Sequence, residues 1–295
     1  MRRLVIPIIA YILYGVVALA FFVYLMFPYD ALRQWLIAQS AQHAMSLEIA
    51  QLRPTFPPGL VFDSVRVMRE QSDVAEEVFG FQTLRLWPYW MSLLGGGREV
   101  HFAGTSYDGR ISGDVRYVGT RNSPGWEARA RFADLDVARY PLLQKMQEAN
   151  RLTVRGQLRG DATAKMNEQG TLVQSNFSFL MQPAIFTPGQ ASILPLHQEL
   201  PCETLAGDMA VTTLQWQIDE LTCQGADLYI DVRGSVRPRR PMPQTLLNLR
   251  LELRSSETFK QELDMLRGLV RQRPSPDGSL KFGLRGSVAN PRPFR

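Results

Sequence analysis

Residues 126–132 read Trp126-Glu127-Ala128-Arg129-Ala130-Arg131-Phe132. Apolar and charged side chains alternate there without a break. A period of two puts the apolar residues on one side of an extended strand and the charges on the other. Outward from it the same texture recurs at 83–86, 99–102, 107–117, 152–164 and 172–180. It continues at 209–214, 226–236, 246–253 and 280–288. Such segments predict a mainly β chain, an antiparallel sheet in which each strand buries one face.

A loose repeat punctuates these strands. Gly109-Arg110-Ile111-Ser112-Gly113-Asp114, Gly156-Gln157-Leu158-Arg159-Gly160-Asp161 and Gly283-Leu284-Arg285-Gly286-Ser287 each frame an aliphatic residue with glycines. Arg233-Gly234-Ser235-Val236 is a partial copy. The irregular spacing is not a solenoid code. The glycines mark bends or close strand contacts, or else one long, curved sheet assembled from similar hairpins. Both readings predict an elongated all-β architecture with a few short helices. By strand spacing, such a sheet extends about 50–70 Å.

Helical texture is brief. Asp30 to about Ala44 carries an apolar stripe through Ala31, Trp35 and Ala38, with Asp30 as N-cap. That helix lies on a membrane surface or covers one end of a sheet, and its single Arg fits the second better. Residues 88–94, 141–149 and 257–271 fit further helices. Gly95-Gly96-Gly97 stops the first of these, because it lacks the frame of a phosphate-binding loop.

The amino end has a different pattern. After Met1-Arg2-Arg3, an uncharged run extends from Leu4 to Phe27. Twenty-four helical residues span about 36 Å, enough for a hydrocarbon core of about 30 Å. Ala18-Leu19-Ala20 resembles a signal-peptidase site, but the apolar run continues to Phe27, so an uncleaved anchor is expected. Arg2 and Arg3 stay in the cytoplasm by the positive-inside rule. Abundant Arg and scarce Lys suggest a GC-rich bacterial genome. The expected localisation is therefore the bacterial inner membrane, single-pass, with the C-terminal domain in the periplasm.

Of the 295 residues, 45% are hydrophobic and 21% charged, which excludes wholesale disorder. Removing Arg2 and Arg3 from the 33 basic residues leaves 31 against 28 acidic, a net of +3. That near balance speaks against nucleic acid as a partner. Three histidines, His43, His101 and His197, have no partner at metal-ligand spacing. Gly-x-Ser-x-Gly and His-Glu-x-x-His are absent, and acidic pairs such as Glu76-Glu77 and Asp134/Asp136 read as solvated faces. The expectation is no enzyme, no catalytic residues, no cofactor and no metal.

Cys202 and Cys223 stand twenty-one positions apart. An oxidising periplasm favours their pairing as a structural disulfide across a hairpin-like unit. A redox pair or two free thiols are the alternatives, and no Cys-x-x-Cys motif supports the first.

Several segments together resemble the type II secretion system protein N family. They are the anchor ending in Phe27-Pro28-Tyr29, Gly59-Leu60-Val61-Phe62, and Leu86-Trp87-Pro88. Most specific are Pro201-Cys202-Glu203-Thr204-Leu205-Ala206-Gly207 and Leu221-Thr222-Cys223-Gln224-Gly225-Ala226-Asp227-Leu228, then Gly286-Ser287-Val288-Ala289-Asn290-Pro291. The resemblance implies an inner-membrane accessory of the machine that exports folded proteins across the outer membrane. Its partners would be other type II secretion components in the inner membrane or periplasm. The layout also resembles, more weakly, AsmA-like envelope proteins. That implies a β-groove able to hold phospholipid, and the one-face-apolar strands would line such a trough with residues such as Leu84, Leu86, Val100, Phe102, Ile111 and Val115.

The expected organisation is a cytoplasmic stub at 1–3, an anchor at 4–27, and a juxtamembrane helix and connector at 28–52. A first β portion follows at 53–182 and a Pro-rich loop at 183–201. A second β portion at 202–295 continues the first.

Overall fold

The computed structural model describes residues 11, 14–15, 18–19, 22–24, 26–41, 45–71, 74–119, 124–149, 152–188, 199–226, 228–239, 244–255 and 279–294. The chain divides into two compact units, Met1–Trp87 and Pro88–Arg295. Both are mainly β, and the strand pairs within each are antiparallel.

In the first unit the described residues between Tyr11 and Met26 are helical. Several of their apolar side chains, including Tyr14, Leu19, Phe22 and Met26, are exposed. Among the described residues no helix is long and apolar enough to cross a membrane. Leu4, where the expected anchor starts, lies outside the described residues, and Phe27 follows the helical stretch.

Helix α1 (Tyr29–Ala41) comes next, with Asp30 in its first turn rather than at its cap. There the carboxylate faces the positive end of the helix dipole. Strands β1 (Met45–Thr55), β2 (Gly59–Gln71) and β3 (Val74–Pro88) form a meander. The sequence reading ended its connector at residue 52, yet β1 already begins at Met45. Its alternation is hidden because buried Ile49 and Leu52 are three apart, a helical spacing. Opposite them Ser64 has φ +52°, which interrupts the pleat between Phe62 and Val65.

The core of this unit is Ile49, Leu52, Phe62 and Val65, with Leu32, Leu36 and Ile37 of α1 packed on it. Each large side chain buried there contributes about 1.5–3 kcal/mol. The Tyr24 hydroxyl lies 2.7 Å from both the Thr55 and Gly59 carbonyl oxygens and accepts from the Thr55 amide at 2.9 Å. It thereby pins the β1–β2 turn to the end of the preceding helix.

The second unit opens with α2 (Trp90–Leu94), β4 (Glu99–Ser106), β5 (Gly109–Tyr117) and β6 (Gly125–Asp136). A 3-10 turn (Val137–Arg139) and α3 (Pro141–Glu148) lead into β7 (Leu152–Asn167) and β8 (Leu172–Pro188). Asp136 caps the 3-10 turn by accepting from the Ala138 amide at 3.1 Å. After β9 (Leu200–Cys202) come β10 (Thr204–Thr212), β11 (Trp216–Gln224), β12 (Leu228–Arg237) and β13 (Leu246–Ser255). β14 (Leu280–Ser287) and β15 (Asn290–Phe294) end the unit.

Each strand of this unit pairs with the next along the chain, except that β8 pairs with both β9 and β10. The ladder therefore runs across the Pro-rich segment, of which 189–198 lies outside the described residues, as does the helix expected at 257–271. The tail Asn290-Pro291-Arg292-Pro293 is a strand paired with β14. Proline is tolerated there because β15 is an edge.

Candidate functional site

Directly opposed residues in an antiparallel ladder lie on the same face. Tracing these pairs through the second unit gives an uninterrupted cross-strand row. Phe102, Gly113, Ala130, Ala162 and Phe177 carry it over β4 to β8. Met209, Ile218, Gly234, Leu249 and Leu284 continue it over β10 to β14. All ten are apolar or glycine, and each is only half-buried.

In a two-layer protein this middle row would be the core, interdigitated with a second sheet or helix layer. Among the described elements, the 3-10 turn, α3 and β9 pack over only one end of the strands. There they bury Val154, Met181, Ala184, Cys202 and Cys223. Leu253 and Leu280 are buried at the same end. The strands thus have a closed end and an open end, with the apolar face between them half accessible.

The opposite face is polar and charge-paired. Glu99, Arg116, Glu127 and Lys165 are successive cross-strand neighbours, alternating in sign. Arg116 donates to Glu127 from Nε at 3.0 Å and from its terminal nitrogen at 2.5 Å. That hydrogen bond, then the charge of Arg116, holds the Glu127 carboxyl below the ordinary carboxylate range. Glu252 is lowered in the same way, by its hydrogen bond with Arg254 and then by the charges of Arg254 and Lys281. A face so well paired tolerates water, whereas the apolar face gains by being covered.

Glycines on the apolar face make room for aromatic rings. A Cβ at Gly207 would lie 2.5 Å from the Phe179 ring, and one at Gly160 would lie 2.9 Å from Phe132. Phe132 stacks on Phe177, ring centres 5.2 Å apart at 22°. Rings lying over glycines widen the apolar surface without raising it. This accounts for the glycine-framed repeat as close strand contacts, one of the two readings left open above.

Four residues of the expected groove share this face. Val100 is directly opposite Val115, Phe102 faces Gly113, and Ile111 lies between Gly104 and Phe132. Ile111 is buried, while Val100 is exposed. Leu84 and Leu86 are in the first unit, packed against the cluster that α1 covers. The sequence reading had not placed Phe177, Phe179, Met209 or the later leucines on that lining. Their cross-strand partners are tens of residues away, and only register unites them.

Cys202 and Cys223 form a disulfide, Cα atoms 5.5 Å apart, inside the closed-end core. His101 lies 3.7 Å from Glu99 and edge-on to Tyr89. His43 and His197 lie outside the described residues. Among the described residues no cluster of His, Cys, Asp and Glu could hold a metal ion. The chain matches no protein-family model, no curated protein and no solved structure.

Proposed function

We propose that this chain is an inner-membrane-anchored envelope protein whose β-sheet holds phospholipid acyl chains on its apolar face. The observation that carries the reading is the ten-residue apolar row left half-buried across β4 to β14. Apolar area of that extent is stabilised by an apolar occupant, and about 25 cal/mol is gained per Å² removed from water. The anchor rests on the uncharged run from Leu4 to Phe27 and on the exposed apolar side chains of its described residues. The elongated, curved form of the sheet, the periplasmic location and the absence of enzymatic chemistry belong to this same proposal.

The test is native mass spectrometry of the full chain extracted into a mild detergent. Co-purifying phospholipid is the expected result. Occupancy by detergent alone, which added phospholipid does not displace, overturns it.

A second reading, an accessory role in type II secretion through contacts with other secretion components, has its own support. The two cysteine segments that carry the resemblance are brought together around β9, β10 and β11 and joined by the disulfide. A deletion strain that traps folded exoenzymes in the periplasm, with outer-membrane permeability unchanged, favours this role. Normal secretion removes it.

A further inference from the structure

The exposed large apolar side chains of the second unit are not scattered. Val118, Val173, Leu214, Trp216 and Val288 all lie in or next to connections at the open end of the strands. Trp90 and Met91 of α2, which precedes the open-end start of β4, join them. Among the described residues the closed end contributes only Leu142 of α3. Leu214 is 80% exposed and Trp216 42% exposed, a cost in water at a connection that could as well be polar.

Cations accompany these tips. Arg98 precedes β4 and lies over the Tyr117 ring at 5.6 Å, Arg237 ends β12 at its open end, and Arg239 follows it. The acidic residues Glu99 and Glu127 at this end face His101 and Arg116, which among the described residues of these tips leaves Glu168 in the β7–β8 turn as the exposed carboxylate. At the closed end exposed Asp108, Asp134, Glu148, Glu199 and Glu203 stand beside exposed Arg110, Arg139, Lys145 and Arg155, with Asp108 paired to Arg139 at 2.6 Å, so the two signs balance there. Trp and aliphatic tips rimmed by arginine match the water–bilayer boundary, where indole rings and guanidinium groups both find partners.

We infer that the open end of the second unit is a rim that inserts its connection tips into the surface of an anionic phospholipid bilayer. This rests on the acyl-chain reading and adds where the apolar face meets its lipid. At the closed end the apolar face is covered by the 3-10 turn, α3 and β9, so chains enter and leave between the tips.

The experiment uses the full chain in proteoliposomes with and without phosphatidylglycerol, its native disulfide intact. An environment-sensitive fluorophore is placed at Leu214→Cys or, at the other end, at Leu142→Cys. The label at 214 is expected to be quenched by lipids spin-labelled near the headgroup and shielded from aqueous iodide, more so with phosphatidylglycerol. The label at 142 should behave in the opposite way, and Trp216→Ser with Val288→Ser should weaken lipid quenching at 214. Equal quenching at both ends, or stronger quenching at 142, overturns the inference. If phospholipid still co-purifies in that event, the acyl-chain reading stands and the rim alone falls.

Discussion

The ring of Phe102 occupies the space that a side chain at Gly113, its directly opposed neighbour, would need. A Cβ there would lie 2.7 Å from Phe102 Cζ and would also collide with the Arg129 carbonyl oxygen. A ring could swing away, but the β5–β6 ladder cannot. Gly113→Ala is therefore expected to cost about 1–3 kcal/mol. Thermal melts of the full-length protein in detergent should show it, while Gly95→Ala, whose Cβ would meet nothing nearer than the Ser92 carbonyl oxygen at 3.6 Å, stays near wild type. An unchanged melting temperature for Gly113→Ala would refute the packing argument.

The disulfide closes a loop of twenty-one positions inside the best-buried cluster. On the chain-entropy account its loss costs about 3 kcal/mol. Reductant should lower the wild-type melting temperature and leave the Cys202→Ala/Cys223→Ala variant unmoved at its already lowered value. Equal melting of oxidised and reduced wild type would show that the bridge adds nothing.

Glu127 titrates lower in the folded chain than in the unfolded one because Arg116 donates to it. Its pairing is then fully stabilising above the unfolded value, about pH 4.3, and fades as pH falls through the lowered folded pKa. The stability gap between wild type and Glu127→Gln should be constant near neutrality and close on the acid side. Arg116 is substantially exposed and solvent screens the pair, so the gap is modest. A gap that widens with acid would contradict the assignment.

Lipid content should follow the sheet face. Val232→Asp, on the apolar face opposite Leu221 and Leu251, is expected to strip most phospholipid from the purified protein. Asn248→Asp, on the polar face of the neighbouring strand, should leave the lipid-to-protein ratio unchanged. Equal loss in both variants would sink the face-specific reading.

Tyr24→Phe removes the hydroxyl that serves both sides of the β1–β2 turn. About 1 kcal/mol of local stability should be lost. Hydrogen exchange at the Thr55 and Gly59 amides should quicken, with little change at Leu52 in the strand interior. Unaltered exchange at both turn amides would show that the hydroxyl does not hold the turn.

Much of the strand inventory was legible because a period of two is written locally, as in residues 126–132. β1 was not, since the positive φ of Ser64 lets Ile49 and Leu52 share a core despite a spacing of three. The glycine repeat was visible as a pattern, but its purpose was not. Nothing in Gly156-Gln157-Leu158-Arg159-Gly160 says that Phe132, over twenty residues earlier, will cover Gly160. The six expected groove residues were chosen by alternation alone, which cannot tell a face covered by α1 from one left open.

The sequence by itself determined the antiparallel β texture, the two-faced strands, the apolar amino-terminal run and the pairing chemistry available to Cys202 and Cys223. These follow from nearest-neighbour periodicity, helix length and thiol chemistry. Tertiary structure alone decided which apolar residues meet and which remain accessible. Cross-strand register joins residues far apart in sequence, and burial depends on whether another layer arrives to cover them. Among the described residues of the second unit such a layer reaches only the closed end.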